Sequence, residues 1–238
     1  MRPGRQRILL IAAGVAAMTS LGAPQGLGAG SAPPAAAAPD VENRVDGLLA
    51  QMTVDEKLGQ LQQQVPWANG SLEAQARAGK LGAVLDLTGA PAINALQHVA
   101  VDQSRLHIPL IFGLDTIHGY RTIFPLPLGE ASSFNPGVAQ TDASVGADES
   151  AHNGIKQVFA PMIDVSHEPR WGRVAEGAGE DPFLGSAFAS ARVTGSQGSD
   201  MSAADKVIAT AKQFVAYGQT EGGRDYNTTD MSVQRLWN

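Results

Sequence analysis

The chain has 238 residues, 43% hydrophobic and 17% charged, so an ordinary folded core is expected and disorder throughout is excluded. Its formal net charge of −6 excludes a general nucleic-acid binder, which needs a basic surface against phosphate. With no cysteine, disulfides, thiolate nucleophiles and cysteine-based zinc or iron–sulfur sites are excluded as well.

Residues 1–39 differ sharply from the rest. Arg2, Arg5 and Arg7 precede the apolar run Ile8 to Met18, and a stretch rich in Gly, Ala and Pro follows. This is the layout of a secretory signal peptide running into a flexible Ala/Pro linker. The run is shorter than the roughly 20 residues that a spanning helix needs. Export to the periplasm or the extracellular space is expected, without a membrane span; an uncleaved anchor is the alternative. The folded domain is expected from residue 40 to 238.

In the domain, Val41, Val45, Leu48, Leu49 and Met52 recur at spacings of three and four, which predicts an amphipathic helix over 40–52. Thr53-Val-Asp-Glu56 has the form of a capping box and predicts a second helix through Leu61. Strand candidates follow at 82–87, 108–115, 157–163 and 207–212, with helical segments over 92–105, 137–152 and 182–195, the last beginning on a proline. A further helix is expected from about Asp230. Strands and helices thus alternate four times, and the strands are too uniformly apolar to have a wet face. That pattern predicts an α/β fold with a parallel sheet covered by helices. No phosphate-binding glycine motif follows a strand, so nucleotide binding is not expected.

Polar residues gather just after the strands: Asp115 and His118, Asp164 and His167, Lys212 and Gln213. Ligands bind at the carboxyl ends of parallel strands, so a site is placed there before its chemistry is known. The loops mix glycine with acids, bases and an aromatic, as a small polar ligand requires. Three readings remain open on chemistry alone. In a sugar site, Asp115 accepts from hydroxyls, Arg173 and Lys212 donate, and Trp171 covers a ring face. In a metal site, the pairs Asp115/His118 and Asp164/His167 supply ligands, although such pairs also brace loops. In a Schiff-base enzyme, Lys212 is the nucleophile. Structural roles compete with each: Asp115 as a cap, Arg173 paired with Glu176 or Glu180, Trp171 as a core anchor, Arg170 pinned against an acid such as Asp164, and Glu180 and Asp181 capping the helix at Pro182.

The motifs also carry a resemblance. Met52-Thr-Val-Asp-Glu-Lys-Leu-Gly-Gln-Leu61, Ile108-Pro-Leu with Asp115 and His118-Gly, Phe124-Pro, Ala160-Pro-Met, Glu168-Pro-Arg-Trp-Gly-Arg173, Gly179-Glu-Asp-Pro182, Lys212-Gln-Phe, Ala216-Tyr-Gly218 and Glu221-Gly-Gly-Arg-Asp-Tyr-Asn227 occur in this order. Together they resemble the N-terminal domain of family 3 glycoside hydrolases, and most of all the exported bacterial β-glucosidases among them. The resemblance implies the N-terminal portion of a (β/α)8 TIM-type barrel and a small oligosaccharide or glucoside as substrate, with no cofactor or metal. Asp115, Arg173 and Lys212 match sugar-binding positions of the family, Gln213 stands where the family usually has His, and Met162 and Trp171 are expected as secondary contacts. The implied mechanism is retaining, with two carboxylates about 5 Å apart. The family's nucleophile Asp and acid/base Glu match no position of this chain, so no catalytic residue is expected in it and hydrolysis is expected to need a missing C-terminal region; a non-catalytic carbohydrate-binding or degenerate remnant is the alternative.

Overall fold

A computed structural model describes residues 39–237, so the signal-peptide expectation lies outside the described residues. The chain divides into the units Met1–Glu42 and Asn43–Asn238, and nearly all described residues belong to the second.

Helix α1 (Pro39–Gln51) is followed by α2 (Val54–Gln60), which opens on the expected capping box. Thr53 Oγ1 accepts from the Glu56 amide at 3.2 Å, and the Thr53 amide donates to Glu56 Oε2 at 2.9 Å. Two donors that a helix start leaves without a partner are thereby satisfied. Glu56 also receives Arg105, whose Nε and Nη2 lie 3.0 and 2.6 Å from its two oxygens. That pairing, with the Thr53 amide, holds the Glu56 carboxyl down at about 2.

The remaining elements are β1 (Gln63–Gln64), α3 (Leu72–Arg77), β2 (Ala83–Leu85), α4 (Ala90–Gln103), β3 (Ile111–Leu114), α5 (Pro127–Ala131), α6 (Pro136–His152), β4 (Gln157–Val158), α7 (Pro182–Gln197), β5 (Ile208–Ala209) and α8 (Val233–Trp237). The five strands form one sheet in the order β1-β2-β3-β4-β5, with every pairing parallel. A doubly wound sheet reverses its strand order at a switch point, whereas a (β/α)8 barrel keeps sequence order around the ring. The sheet is therefore a five-stranded arc of a TIM-type barrel.

Val84, Phe112 and Val158 from three adjacent strands are buried against Leu81, Ile93, Leu96, Ile155 and Val207, which makes the main core. Helix α7 packs closely against α6 and against β5. A Cβ at Gly195 would collide with the Gln140 carbonyl of α6, so their approach depends on that glycine. Between α5 and α7 lies a buried ion pair, Arg192 Nη2 with Glu130 Oε2, whose side chains are 9% and 1% exposed. Arg192 Nη1 also donates to the Ile117 carbonyl at 3.2 Å. Burial, reinforced by the Asp142 carboxylate, pushes Glu130 upward against the pull of Arg192.

The structure departs from the sequence reading in its strands. Five strands replace four, because Gln63–Gln64 pairs with Ala83–Val84 although it has no apolar pattern at all. Uniform apolarity is therefore not a rule of this sheet; Ile208 of β5 also remains 38% exposed. The predicted strand 157–163 ends at Val158, ahead of Pro161, which has no amide to donate to a ladder; Met162 then rejoins the sheet as an isolated parallel bridge to Lys212. Helices α3 and α5 and three short 3-10 helices, Gly172–Glu176, Tyr217–Gln219 and Glu221–Gly223, are further additions to the sequence reading.

Candidate functional site

Backbone geometry delivers chemistry to the carboxyl ends of β2, β3, β4 and β5. Asp115 directly follows β3, and Lys212 lies three residues beyond β5, held by the bridge to Met162. The Lys212 ammonium forms an ion pair with Asp115 Oδ1 across 97 residues of sequence. Its side chain is 16% exposed and that of Asp115 53%, so the pair meets solvent mainly through the carboxylate. Asp115 is thus paired with Lys212 and not with the amides of the next turn. Asp86, at the end of β2 with a left-handed φ of 63°, joins this rim; burial pushes its carboxyl up and Asp115 adds to the effect. The sequence reading assigned Asp86 no role.

Asp164, past β4, is buried at 8% exposure. Its Oδ1 accepts from the Gly218 amide at 3.2 Å and its Oδ2 from the Gln213 amide at 3.1 Å. Burial raises its carboxyl above the usual range, against the pull of those two amides and of Arg173. One carboxylate therefore ties the β4 loop to two points of the β5 loop.

Arg173 sits in the short 3-10 helix Gly172–Glu176. Its Nε and Nη2 reach Glu176 at 2.7 and 2.9 Å, a bidentate pair, and its guanidinium carbon lies 5.6 Å from the Tyr217 ring centroid. The Gln213 side chain stands between Arg173 and Asp164. With its nitrogen toward Asp164 Oδ2 at 3.1 Å and its oxygen toward Arg173 Nη1 at 2.8 Å, both ends of the amide are satisfied. The reverse orientation would set two acceptors against each other and two donors likewise.

Trp171 and Met162 are buried, at 0% and 5% exposure. The Trp171 ring is edge-on to Tyr217, at 5.3 Å and 87°. Its Nε1 donates to Asp225 Oδ1 at 2.8 Å, and the Tyr217 hydroxyl donates to the same oxygen at 2.6 Å. No ring face of Trp171 is open to a ligand; the residue is the core anchor of the β4 loop. Gly223, at φ 69°, presses its backbone against this loop, and a Cβ there would come within 2.9 Å of the Trp171 amide. Asp225 and Tyr217 are the organising residues that sequence reasoning missed. Both stand in motifs it quoted, but only the fold brings them to Trp171.

Other expected partners resolve as bracing. Arg170 pairs with Glu168 at 2.7 Å, not with Asp164, because the two lie within one tight turn while Asp164 faces inward to amides. Asp181 caps α7 by accepting from the Phe183 and Leu184 amides. His118 Nδ1 lies 3.0 Å from the Phe124 carbonyl. Among the described residues no three His, Asp or Glu side chains converge as metal ligands would. A cavity of about 480 Å³ adjoins the cluster, with Asp164, His167, Gln213 and Gln219 on its polar side and Val165 and Leu236 on its apolar side. Asp115, Arg173 and Lys212 lie outside its lining, and Asp164 and Gln213 connect the two.

Residues 53–238 match the family described as glycosyl hydrolase family 3 N terminal domain. The chain is 44% identical over 197 residues to a periplasmic beta-glucosidase of Salmonella typhimurium, covering 82% of this chain and 26% of that protein. A beta-xylosidase of Formosa agariphila is 32% identical, with 83% and 24% covered. Among solved structures, the beta-glucosidase of Listeria innocua in complex with isofagomine superposes with a TM-score of 0.77 at 38% identity, covering 82% of this chain and 29% of that one. The same enzyme has been solved with glucose. The chain spans about a quarter of the length of the curated relatives it matches first.

Proposed function

Because the chain belongs to glycosyl hydrolase family 3, whose N-terminal domain it carries over residues 53–238, we propose that it supplies the sugar-holding half of a retaining β-glucosidase acting on terminal, non-reducing β-D-glucosyl residues. Asp115 accepts hydrogen bonds from vicinal hydroxyls, and Lys212 and Arg173 donate to others. Charged groups suit this task because charge-assisted hydrogen bonds are short and directional. The nucleophile and the general acid are supplied from outside this set of residues, so the chain by itself binds sugar and turns nothing over. Export to the periplasm is part of the proposal, supported by the residue pattern of 1–39 and by the name of the Salmonella relative. No helix among the described residues is long and apolar enough to cross a membrane.

The observation that carries the reading is the Lys212–Asp115 pair, which joins the ends of β3 and β5, with Arg173 tied through the Gln213 side chain to the residue next to Lys212. A Schiff-base role for Lys212 is disfavoured by the same pair, since an ammonium donating to a carboxylate has no lone pair for attack. The test is thermal melting of the purified chain with glucose. Glucose raises the Tm of the parent chain and leaves Asp115→Asn and Lys212→Met unmoved. Equal shifts in all three proteins, or no shift in the parent, would refute the subsite. Turnover of an aryl β-glucoside by the chain alone would overturn the placement of the catalytic carboxylates.

A further inference from the structure

We infer that Gln213 is a positioning residue: its amide locks the Arg173 guanidinium to the buried Asp164 carboxylate and so fixes the direction in which Arg173 offers its free donors to a sugar. The use of those donors rests on the subsite reading above; the lock itself does not.

Donor counting shows what the lock does. A guanidinium has five N–H donors in a rigid plane. Glu176 takes two, from Nε and Nη2, and the Gln213 oxygen takes one from Nη1. Beyond these contacts and the Tyr217 ring beside it, each terminal nitrogen keeps one N–H for a ligand. Glu176 alone would leave Arg173 free to swing with the 3-10 helix that bears both residues. Gln213 belongs to a different strand end, and its own backbone amide is held by Asp164. The lock thus refers Arg173 to the loop that carries Lys212, the neighbouring residue, so the two cationic donors keep a fixed separation.

An amide performs this without a charge. The titratable and charged groups around it are Asp164 beyond β4, Arg173 and Glu176 on the 3-10 helix, Tyr217 in the β5 loop, and His167 and Arg235, which share the adjoining cavity. An imidazole at this position could bridge the same two groups when neutral. Once protonated it would have only donors, and would turn one of them on the Arg173 guanidinium. Gln213 keeps the Arg173 orientation independent of pH where histidine would make it titrate.

The experiment observes Arg173 directly by NMR of arginine-labelled protein, with the Arg173 guanidinium signals assigned from their loss in Arg173→Lys. Glucose titrations run in parallel, since glucose does not itself titrate near neutrality. In the parent chain the Arg173 signals are resolved and constant between about pH 6 and 8. Gln213→Ala shifts and broadens the Arg173 Nη1 signals, while those held by Glu176 persist, and weakens glucose binding about tenfold or more. Gln213→His restores the Nη1 signals at the upper pH and loses them, together with glucose affinity, as the imidazole protonates. A merely structural glutamine would show no such pH response, and the histidine variant keeps the test decisive should the alanine variant not fold. Unchanged Arg173 Nη1 signals in Gln213→Ala, or a pH-independent Gln213→His, would overturn the inference. If the signals respond as expected but glucose binds none of the proteins, the lock stands and the sugar subsite falls.

Discussion

Of the ion pairs that join distant parts of this chain, one in the helical layer and one at the strand ends differ in what surrounds the charge. Glu130 and Arg192 are 1% and 9% exposed, and Arg192 spends a further donor on the Ile117 carbonyl. Asp115 and Lys212 are 53% and 16% exposed, and the carboxylate still faces solvent. The first pair is closed to a ligand by burial, although Glu130 Oε1 has no hydrogen-bond partner. The second is a pair of charges that hold each other while keeping hydrogen-bonding surface free. Scaffold and site therefore use the same chemistry at different burial, and burial sets whether the energy goes into stability or into recognition.

Breaking each pair separates those roles. The largest effect is expected from Arg192→Ala, which leaves the Glu130 carboxyl buried without its cation and costs about 3–5 kcal/mol in urea unfolding. Replacing both partners by leucine recovers much of that loss, because no buried charge is then left unpaired. Trp171→Ala, in a fully buried ring next to the site, is expected to cost a comparable 3–5 kcal/mol or so, which would show that the site stands on its own local core. Lys212→Met is expected to change unfolding by less than about 1 kcal/mol while abolishing the glucose-induced rise in Tm. A destabilisation of Lys212→Met as large as that of Arg192→Ala would erase the distinction between the two pairs.

A pH scan sharpens the contrast in the scaffold itself. Glu56 falls from its ordinary 4.5 to about 2 in the folded chain, chiefly through Arg105. A lowered acid stabilises the fold above its unfolded pKa, and that contribution fades as pH drops from about 4.5 toward 2. Buried Asp164 moves the opposite way, so its contribution is present at low pH and fades as pH rises through its folded value. Stability of Glu56→Gln followed by Tm should be flatter than that of the parent on the acid side of 4.5. The smallest effect is expected at Phe214, 99% exposed beside Gln213, where Phe214→Ser should stay within about 0.5 kcal/mol.

Much of the scaffold was legible. The capping box at Thr53, the helices over 136–152 and 182–197, the parallel arrangement and the placement of polar residues after strands all follow from periodicity, caps and loop composition. Strand β1 was not legible, because two glutamines carry no apolar signal and pair only because β2 offers an edge. The roles of Asp225 and Tyr217 were not legible either, since each acts on Trp171, 54 residues away from Asp225. Asp86 escaped because the sequence reading placed it inside the strand 82–87, whereas β2 ends at Leu85 and leaves it on the rim near Asp115.

By itself the sequence determined the local chemistry: which segments coil into helices, which residues can donate or accept, and, through the order of its motifs, the family. Those properties are local in the chain or repeat at fixed spacings, so they survive without coordinates. Only the tertiary structure decided which charges are spent and which are free. Arg192 and Arg173 are the same residue type, yet one is sealed between helices and the other is held by Glu176 and Gln213 in the loops beyond the strand ends. That outcome depends on desolvation and on partners from distant strand ends, and neither is written along the chain.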